Sequence, residues 1–118
     1  MALPKWTERL TPEARAAGVD LTSTGFADAA WPIERAGSVI EALRGSDAAV
    51  LGGDILRGTR DDLEHTFDSW SCEMKRGEPW AEFVSRSYAD AIGYLSGMQG
   101  DPDAWFTLEI SPKPAAKR

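Results

Sequence analysis

The feature that most constrains this fold is the amphipathic segment PWAEFVSRSYADAIGYLSGM, residues 79–98. Its mostly apolar positions recur at spacings of three and four residues, which is the period of one helix face. They are Trp80, Phe83, Val84, Ser87, Ala91, Tyr94 and Leu95. Pro79 suits the start of a helix because its φ is already fixed near the helical value. A helix with a single apolar stripe has to bury it, so we expect this one to pack on a sheet.

Three other segments favour strands. Residues 48–58, AAVLGGDILRG, and residues 65–74, HTFDSWSCEM, are β-branched or aromatic runs separated by a polar connector. In residues 104–111, AWFTLEIS, the apolar side chains alternate with a period of two, which predicts a half-buried strand. The pairing order of the three strands stays open at this point, because the third strand fits beside either of the other two.

Two further helices complete the outline. Thr11 as N-cap and Pro12 at the first helical position predict a short helix over residues 11–18. Helical spacing over residues 33–44, ended by Gly45, predicts a second main helix. Residues 19–30 are typical of a surface connection. We therefore expect an α+β fold with a small, mainly antiparallel sheet of about three strands, packed by two main helices and a short N-terminal helix.

Length and composition indicate a single domain over residues 1–118, with residues 112–118 as a basic tail. A net charge of −6 argues against a nucleic-acid surface. There is no apolar run of membrane-spanning length and no secretory signal pattern, so we expect a cytoplasmic protein that does not bind a membrane. Cys72 is the one cysteine, which excludes an internal disulfide and a cysteine-based zinc cluster within one chain.

The apolar run at residues 48–58 is broken by Gly52, Gly53 and Asp54. A phosphate cradle is one reading, but the glycine spacing, a following Lys-Ser/Thr and an immediate helix start are missing. The alternative is a bulge or kink with no room for side chains, where another group packs over the backbone. Each glycine within a strand costs about 0.5–1 kcal/mol relative to alanine, so we expect a bulky neighbour such as Trp70 to cover them.

Two groups of polar residues suggest chemistry. His65, Asp68 and Cys72 suggest nucleophilic catalysis, but His65 and Cys72 would lie more than about 20 Å apart on a straight strand. The second group is a set of carboxylates around the two strands: Asp54, Asp61, Asp62, Glu64, Asp68 and Glu73. No calcium-loop spacing is present, so we expect no metal and no other cofactor. The carboxylates form either a solvated edge or a docking face for a basic protein.

The segments VLGGDIL, FDSWSCEM and GEPWAEFVSRSYADAIGYL, in this order, resemble an immunity-protein family of bacterial polymorphic toxin systems, immunity protein family forty. The resemblance covers roughly residues 30–96. The matching positions are Gly52, Gly53, Asp54, Asp68, Trp70, Cys72, Trp80, Arg86 and Ser87. Phe67, Ser69 and Ser71 stand where the family pattern has other aromatic or amide side chains, and Pro79 stands where it has a capping serine.

The resemblance implies a protein without catalysis that binds a cognate toxin made by the same cell and neutralises it. We interpret the matched glycines, Asp54, Asp68, Trp70, Cys72 and Trp80 as structural. Within FDSWSC, alternation places Asp68, Trp70 and Cys72 on one face, and we expect Asp68 to bond backbone amides. We expect Asp61, Asp62 and Glu64 to lie in a hairpin-like loop that connects the first two strands. These loop acids, with Glu73, are then the expected contacts to a toxin with a basic surface. The alternatives are a binding or regulatory module with a non-toxin partner and, third, a small enzyme using His65 or Cys72.

Overall fold

The computed structural model describes residues 5–21 and 29–113. Within these residues the strands are β1 (Val19–Asp20), β2 (Ala29–Pro32), β3 (Ala49–Thr59), β4 (Asp62–Ser71), β5 (Ala104–Phe106) and β6 (Glu109–Ser111). The helices are α1 (Pro12–Ala16), α2 (Ala36–Leu43) and α3 (Trp80–Ser96), with 3-10 turns at Lys5–Arg9 and Ile33–Arg35. Residues 22–28 of the expected surface connection and residues 114–118 of the expected basic tail lie outside the described residues.

The strands form one sheet in the order β1-β2-β5-β3-β4, and each of these pairings is antiparallel. β6 pairs with β3 as well, on the same edge as β5 and further along it. β4 covers the opposite edge of β3. Among residues 5–21 and 29–113, no strand pairs with the outer edge of β4, so the β3–β4 hairpin forms one side of the sheet.

The expected sheet of about three strands is wrong, because the structure has six within the described residues. β1 and β2 contain two and four residues, which is too short for alternation to show. β2 is also buried at three successive positions, so no polar face marks it. The predicted third strand is divided into β5 and β6 because Thr107 and Leu108 leave the regular pairing.

The expectation of two main helices also needs correction. α3 has 17 residues and is the main helix, whereas α2 has eight, because a 3-10 turn forms the first part of the predicted segment. The long helix itself is confirmed, with Pro79 as its N-cap residue. The short N-terminal helix is confirmed too, since the Thr11 side chain accepts a hydrogen bond from the amide of Ala14 at 3.2 Å.

The main core lies between one face of the sheet and the pair α2 and α3. α3 buries Phe83, Ser87, Tyr88, Ala91 and Leu95. On the sheet side, Trp31 of β2 is fully buried and packs on Phe106 of β5 with ring centroids 6.4 Å apart. Its indole N–H donates to the carbonyl oxygen of Ala14 at 3.0 Å, which fixes α1 to the sheet. Among the described residues, no helix combines the length and hydropathy needed to cross a membrane.

Candidate functional site

Gly52 and Gly53 lie where β3 is flanked by β4 on one edge and by the β5–β6 interruption on the other. Gly52 has φ +148°, and a Cβ there would collide with the carbonyl oxygen of Trp70. A Cβ on Gly53 would collide with the carbonyl oxygen of Thr107 and lie 2.6 Å from the Trp70 indole. The two glycines therefore allow three backbones and one large ring to approach more closely than any side chain would permit.

Trp70 is the ring that lies over Gly53, its direct cross-strand partner. It stacks on Tyr94 of α3 with ring centroids 5.0 Å apart and an interplanar angle of 25°. Burial raises the pKa of Tyr94, and the negative charge of Asp68 adds to this. The Trp70 indole N–H is buried and has no acceptor among the described residues. Trp70 thus connects the glycine pair to the long helix through ring packing rather than through hydrogen bonding.

Trp80 holds the start of α3 against the loop that precedes β3. Its indole N–H donates to the carbonyl oxygen of Asp47 at 2.8 Å. The ring packs edge-on against Phe83, with centroids 5.5 Å apart. Cys72 is buried in the same small cluster beside Phe83, and burial raises the pKa of its thiol. Trp80 and Cys72, two of the matched residues, therefore pack around the start of α3.

Arg86 fixes the loop between β4 and α3. Its guanidinium donates to both carboxylate oxygens of Glu78, at 2.9 and 2.7 Å, and to the carbonyl oxygen of Glu73 at 2.7 Å. A fourth contact reaches the Cys72 sulfur at 3.3 Å. The hydrogen bonds from Arg86 lower the pKa of Glu78 to about 2, and the pKa of Arg86 is raised in return. The sequence pattern singled out Arg86, but no signal in it identified Glu78 as its partner.

Ser87 connects α3 directly to β3. Its hydroxyl accepts a hydrogen bond from the buried amide of Val50 at 3.0 Å and donates to the carbonyl oxygen of Val84 at 2.8 Å. The neighbouring Tyr88 hydroxyl lies 2.8 Å from the carbonyl oxygens of Leu43 and Ala48, at the α2–β3 connection. Successive residues of the helix thus bind successive parts of the chain that lead into β3.

Asp54 and Asp68 have different surroundings. The amide of Asp54 donates to the Thr107 hydroxyl at 2.9 Å, and its carbonyl accepts from the Thr107 amide at 3.0 Å. Its carboxylate lies 3.5 Å from Nε2 of His65. The expected amide bonds to the Asp68 carboxylate are not made within the described part of the chain; this side chain is exposed. Asp68 instead donates its own backbone N–H to the Thr66 hydroxyl at 3.1 Å.

The four acids expected to contact a toxin are all exposed, but the structure brings only three of them together. Asp61 is in the two-residue hairpin turn, while Asp62 and Glu64 belong to β4 rather than to the expected loop. Glu73 follows the other end of β4, more than about 20 Å away at the usual rise of a strand. We call the trio Asp61, Asp62 and Glu64 the acidic hairpin end.

Two arginines hold the acidic hairpin end in place. The guanidinium of Arg60, in the turn, donates to the carbonyl oxygens of Ala16, Ala17 and Gly18 at 3.1–3.2 Å. Arg57, directly across from Glu64, pairs with Asp101 at 2.6 Å. The three carboxylates are therefore presented from a hairpin that is attached to the end of α1 and to the loop before β5.

A bulge in β4 is the feature that sequence reasoning missed. Between the pairs Asp54–Ser69 and Leu56–His65, β4 carries three residues, Thr66–Asp68, opposite the single residue Ile55. Phe67 at the middle of the bulge has φ +69° and is 87% exposed. The alternating pattern of residues 65–72 is that of an uninterrupted strand, so no local signal marks the bulge. We call residues 66–68 the β4 bulge.

Neither set of candidate catalytic or metal-binding residues is assembled. His65 faces Asp54 across the sheet, whereas Cys72 faces Arg86 and Phe83 at the other end of β4. In the described ranges no group of three or more histidine, cysteine or carboxylate side chains is arranged to hold a metal ion. The two prominent exposed features of the β3–β4 hairpin are the acidic hairpin end and the aromatic ring of the β4 bulge.

Comparison with known proteins agrees with the matched residues. The family model described as Immunity protein 40 matches residues 20–110, which includes every strand from β2 to β5 and both main-core helices. Searches of curated proteins and of solved structures gave no match. The resemblance carried by Gly52, Trp70 and Arg86 is confirmed, and it extends further along the chain than residues 30–96. The chain belongs to the Immunity protein 40 family.

Proposed function

We propose that this protein binds a cognate bacterial toxin and neutralises it by occupying its surface, without catalysis. The observation that carries the proposal is the family match over residues 20–110. The acidic hairpin end supports it, because exposed carboxylates on an attached hairpin attract a basic partner and raise its association rate. Asp61, Asp62 and Glu64 are the first proposed contacts, and Glu73 is a contact only for a partner that spans the length of β4.

The test is protection in the cytoplasm of a growing cell. The toxin domain encoded immediately upstream is expressed without an export signal, with and without this chain. We expect growth to be restored by this chain and not by an unrelated acidic protein of similar size. Unchanged killing would contradict the proposal, and a neighbouring gene that encodes no toxin would favour the binding or regulatory module.

A second measurement separates binding from catalysis. When the purified chain is titrated against a fixed amount of toxin, inhibition by binding reaches its end point at a constant molar ratio. An enzyme that modifies the toxin would inactivate many equivalents per molecule and would show time dependence. Neutralisation at a ratio far below one would therefore exclude a non-catalytic inhibitor.

A further inference from the structure

We propose that Phe67 is the aromatic anchor of the toxin interface and enters an apolar pocket that is bordered by basic side chains on the partner. This inference rests on the proposed function of toxin binding and names a part of the surface that makes the contact. The acidic hairpin end would then guide the partner, while the ring of the β4 bulge holds it.

The first observation is exposure. Phe67 is 87% exposed, whereas the other exposed large apolar side chains among the described residues, Met74 and Ile92, are 46% and 38% exposed. Exposed apolar residues are ordinary on protein surfaces when they occur singly, so exposure does not carry the inference alone. An aromatic ring of this size buries roughly 150–250 Å² when it is covered, which is why aromatic residues dominate interface centres.

The second observation is the backbone. Phe67 has φ +69°, in the left-handed region, where a bulky side chain crowds the following carbonyl. Glycine or asparagine would fit this conformation better. Neither the backbone nor the side chain at this position therefore favours folding. Residues held in unfavourable conformations are concentrated at binding sites, where the conformation serves recognition.

The third observation is that the β4 bulge is ordered by side chains. The Phe67 amide donates to Nδ1 of His65 at 2.7 Å, and the His65 ring contacts the Phe67 ring with centroids 5.1 Å apart. The Thr66 hydroxyl accepts from the amide of Asp68 and donates to the carbonyl oxygen of Ile55 at 2.8 Å. An anchor that is already positioned loses less conformational freedom on binding.

The charges around the ring define the partner. Asp68 follows Phe67 in the chain and is exposed, and the Asp54 carboxylate lies 3.5 Å from Nε2 of His65, whose ring contacts the Phe67 ring. A pocket with basic residues at its border complements both. A second copy of this chain would instead bring like charges together, at a net charge of −6 each. The bulge also interrupts the edge of β4 that pairs with no other strand among residues 5–21 and 29–113, and this disfavours addition of a long partner strand.

The test uses the purified chain and the upstream toxin domain, with affinity and thermal unfolding measured in parallel. We expect Phe67→Gly to weaken binding by at least about 30-fold while the unfolding midpoint stays the same or rises, because glycine accepts this φ. Phe67→Tyr keeps the ring and should remain within a few-fold of the wild type. Met74→Ala removes the next exposed apolar side chain and serves as the matched control, with affinity unchanged.

The outcomes are separable. If the wild type does not bind the toxin domain, the proposed function fails and the Phe67 contact fails with it. If the wild type binds and Phe67→Gly binds equally well, only the anchor is refuted and toxin binding stands. If Phe67→Gly and Met74→Ala weaken binding to the same extent, the ring has no special part. If the wild type dimerises and Phe67→Gly does not, the occupant is a second copy, which overturns the assignment to the toxin.

Discussion

The glycine pair of β3 packs so closely against its neighbours that one added Cβ atom would not fit. At Gly53 the carbonyl of Thr107 approaches from the interruption between β5 and β6, and the Trp70 ring approaches from β4, so there is no volume for a methyl group. Neither neighbour can withdraw easily: the Thr107 backbone bonds Asp54, and the Trp70 ring is stacked on Tyr94. The cost of glycine in a strand is therefore offset by contacts that only glycine permits.

Gly53→Ala should therefore destabilise the protein by about 1–3 kcal/mol, the usual range for forcing extra volume into a packed site. Gly93 provides the matched control, because it lies on the exposed side of α3 and a methyl group there would have no neighbour within 4 Å. Gly93→Ala should stabilise by about 0.5–1 kcal/mol through helix propensity. Urea unfolding of both variants measures the difference, and a loss of stability at both positions would contradict the close-packing explanation.

Trp70→Ala should destabilise by about 3 kcal/mol, near the lower end for truncation of a core tryptophan. The lower end applies because Trp70 is half-buried and its buried indole N–H has no acceptor in the described residues, so the variant also removes an unsatisfied donor. The measurement is urea unfolding, with loss of the Trp70–Tyr94 contact followed by near-ultraviolet circular dichroism. A free energy of unfolding that did not change would show that the ring does not support the sheet.

At the level of elements, three successive residues of α3 connect it to three earlier parts of the chain. Arg86 binds the β4–α3 loop, Ser87 binds the amide of Val50 in β3, and Tyr88 binds the α2–β3 connection. The architecture thus gives Arg86 and Ser87, the adjacent pair singled out by the sequence resemblance, a structural role. A helix attached in this way keeps the β3–β4 hairpin in a fixed position, which a rigid binding surface requires.

Glu78→Gln should lower the unfolding midpoint at pH 7, because Arg86 then loses a charged partner that it holds at two oxygens. The pKa of Glu78 is lowered from its usual 4.5 to about 2, so the folded state favours the ionised form. This contribution is complete above pH 4.5 and is lost as the pH falls through about 2. The difference in free energy of unfolding between the wild type and Glu78→Gln should therefore decrease as the pH is lowered from 7 to 4 and then to 3. Urea unfolding at these three pH values measures it.

The matched control for this prediction is Glu73→Gln. Glu73 is in the same loop and contacts Arg86 only through its backbone carbonyl, so its exposed carboxylate contributes nothing to the connection. We expect this variant to follow the wild type at every pH. If the loss of unfolding free energy in Glu78→Gln stayed constant from pH 7 to pH 3, the charge of Glu78 would be ruled out as the cause of that loss.

The sequence is a good guide to elements with a long, regular period and a poor guide to short ones. The helix at Trp80–Ser96 and the cap at Thr11 are visible because each rests on contacts between residues close in the chain. β1 is held by pairing with β2, and β2 by pairing with the distant β5, and their few residues carry no period. The β4 bulge arises in the same way, since its three residues exist as a bulge only opposite Ile55. Nothing in the local sequence therefore marks Phe67 as a site.

On the scale of the whole molecule, the proposed toxin interface has two parts. One part attracts the partner over a distance, and the other holds it at contact. The chain carries a net charge of −6, and the acidic hairpin end places three carboxylates at one end of the sheet. The β4 bulge lies further along the same strand, with its ring exposed. Charge acts over a Debye length of about 8 Å at physiological salt, whereas ring burial acts only at contact. The two parts should therefore affect different rate constants.

The double variant Asp61→Lys/Asp62→Lys should slow association with the toxin domain about 10-fold at low salt and leave dissociation nearly unchanged. The fold should be intact, because both side chains are exposed. Glu34→Lys/Glu82→Lys makes the same change in net charge at exposed positions near the start of the helical segments, and serves as the control. Stopped-flow kinetics at increasing salt measure both pairs, and the difference should disappear as salt screens the charges. If both double variants slowed association equally, the attraction would be due to net charge alone. If the Asp61/Asp62 variant dissociated faster, these two residues would be direct contacts that hold the complex.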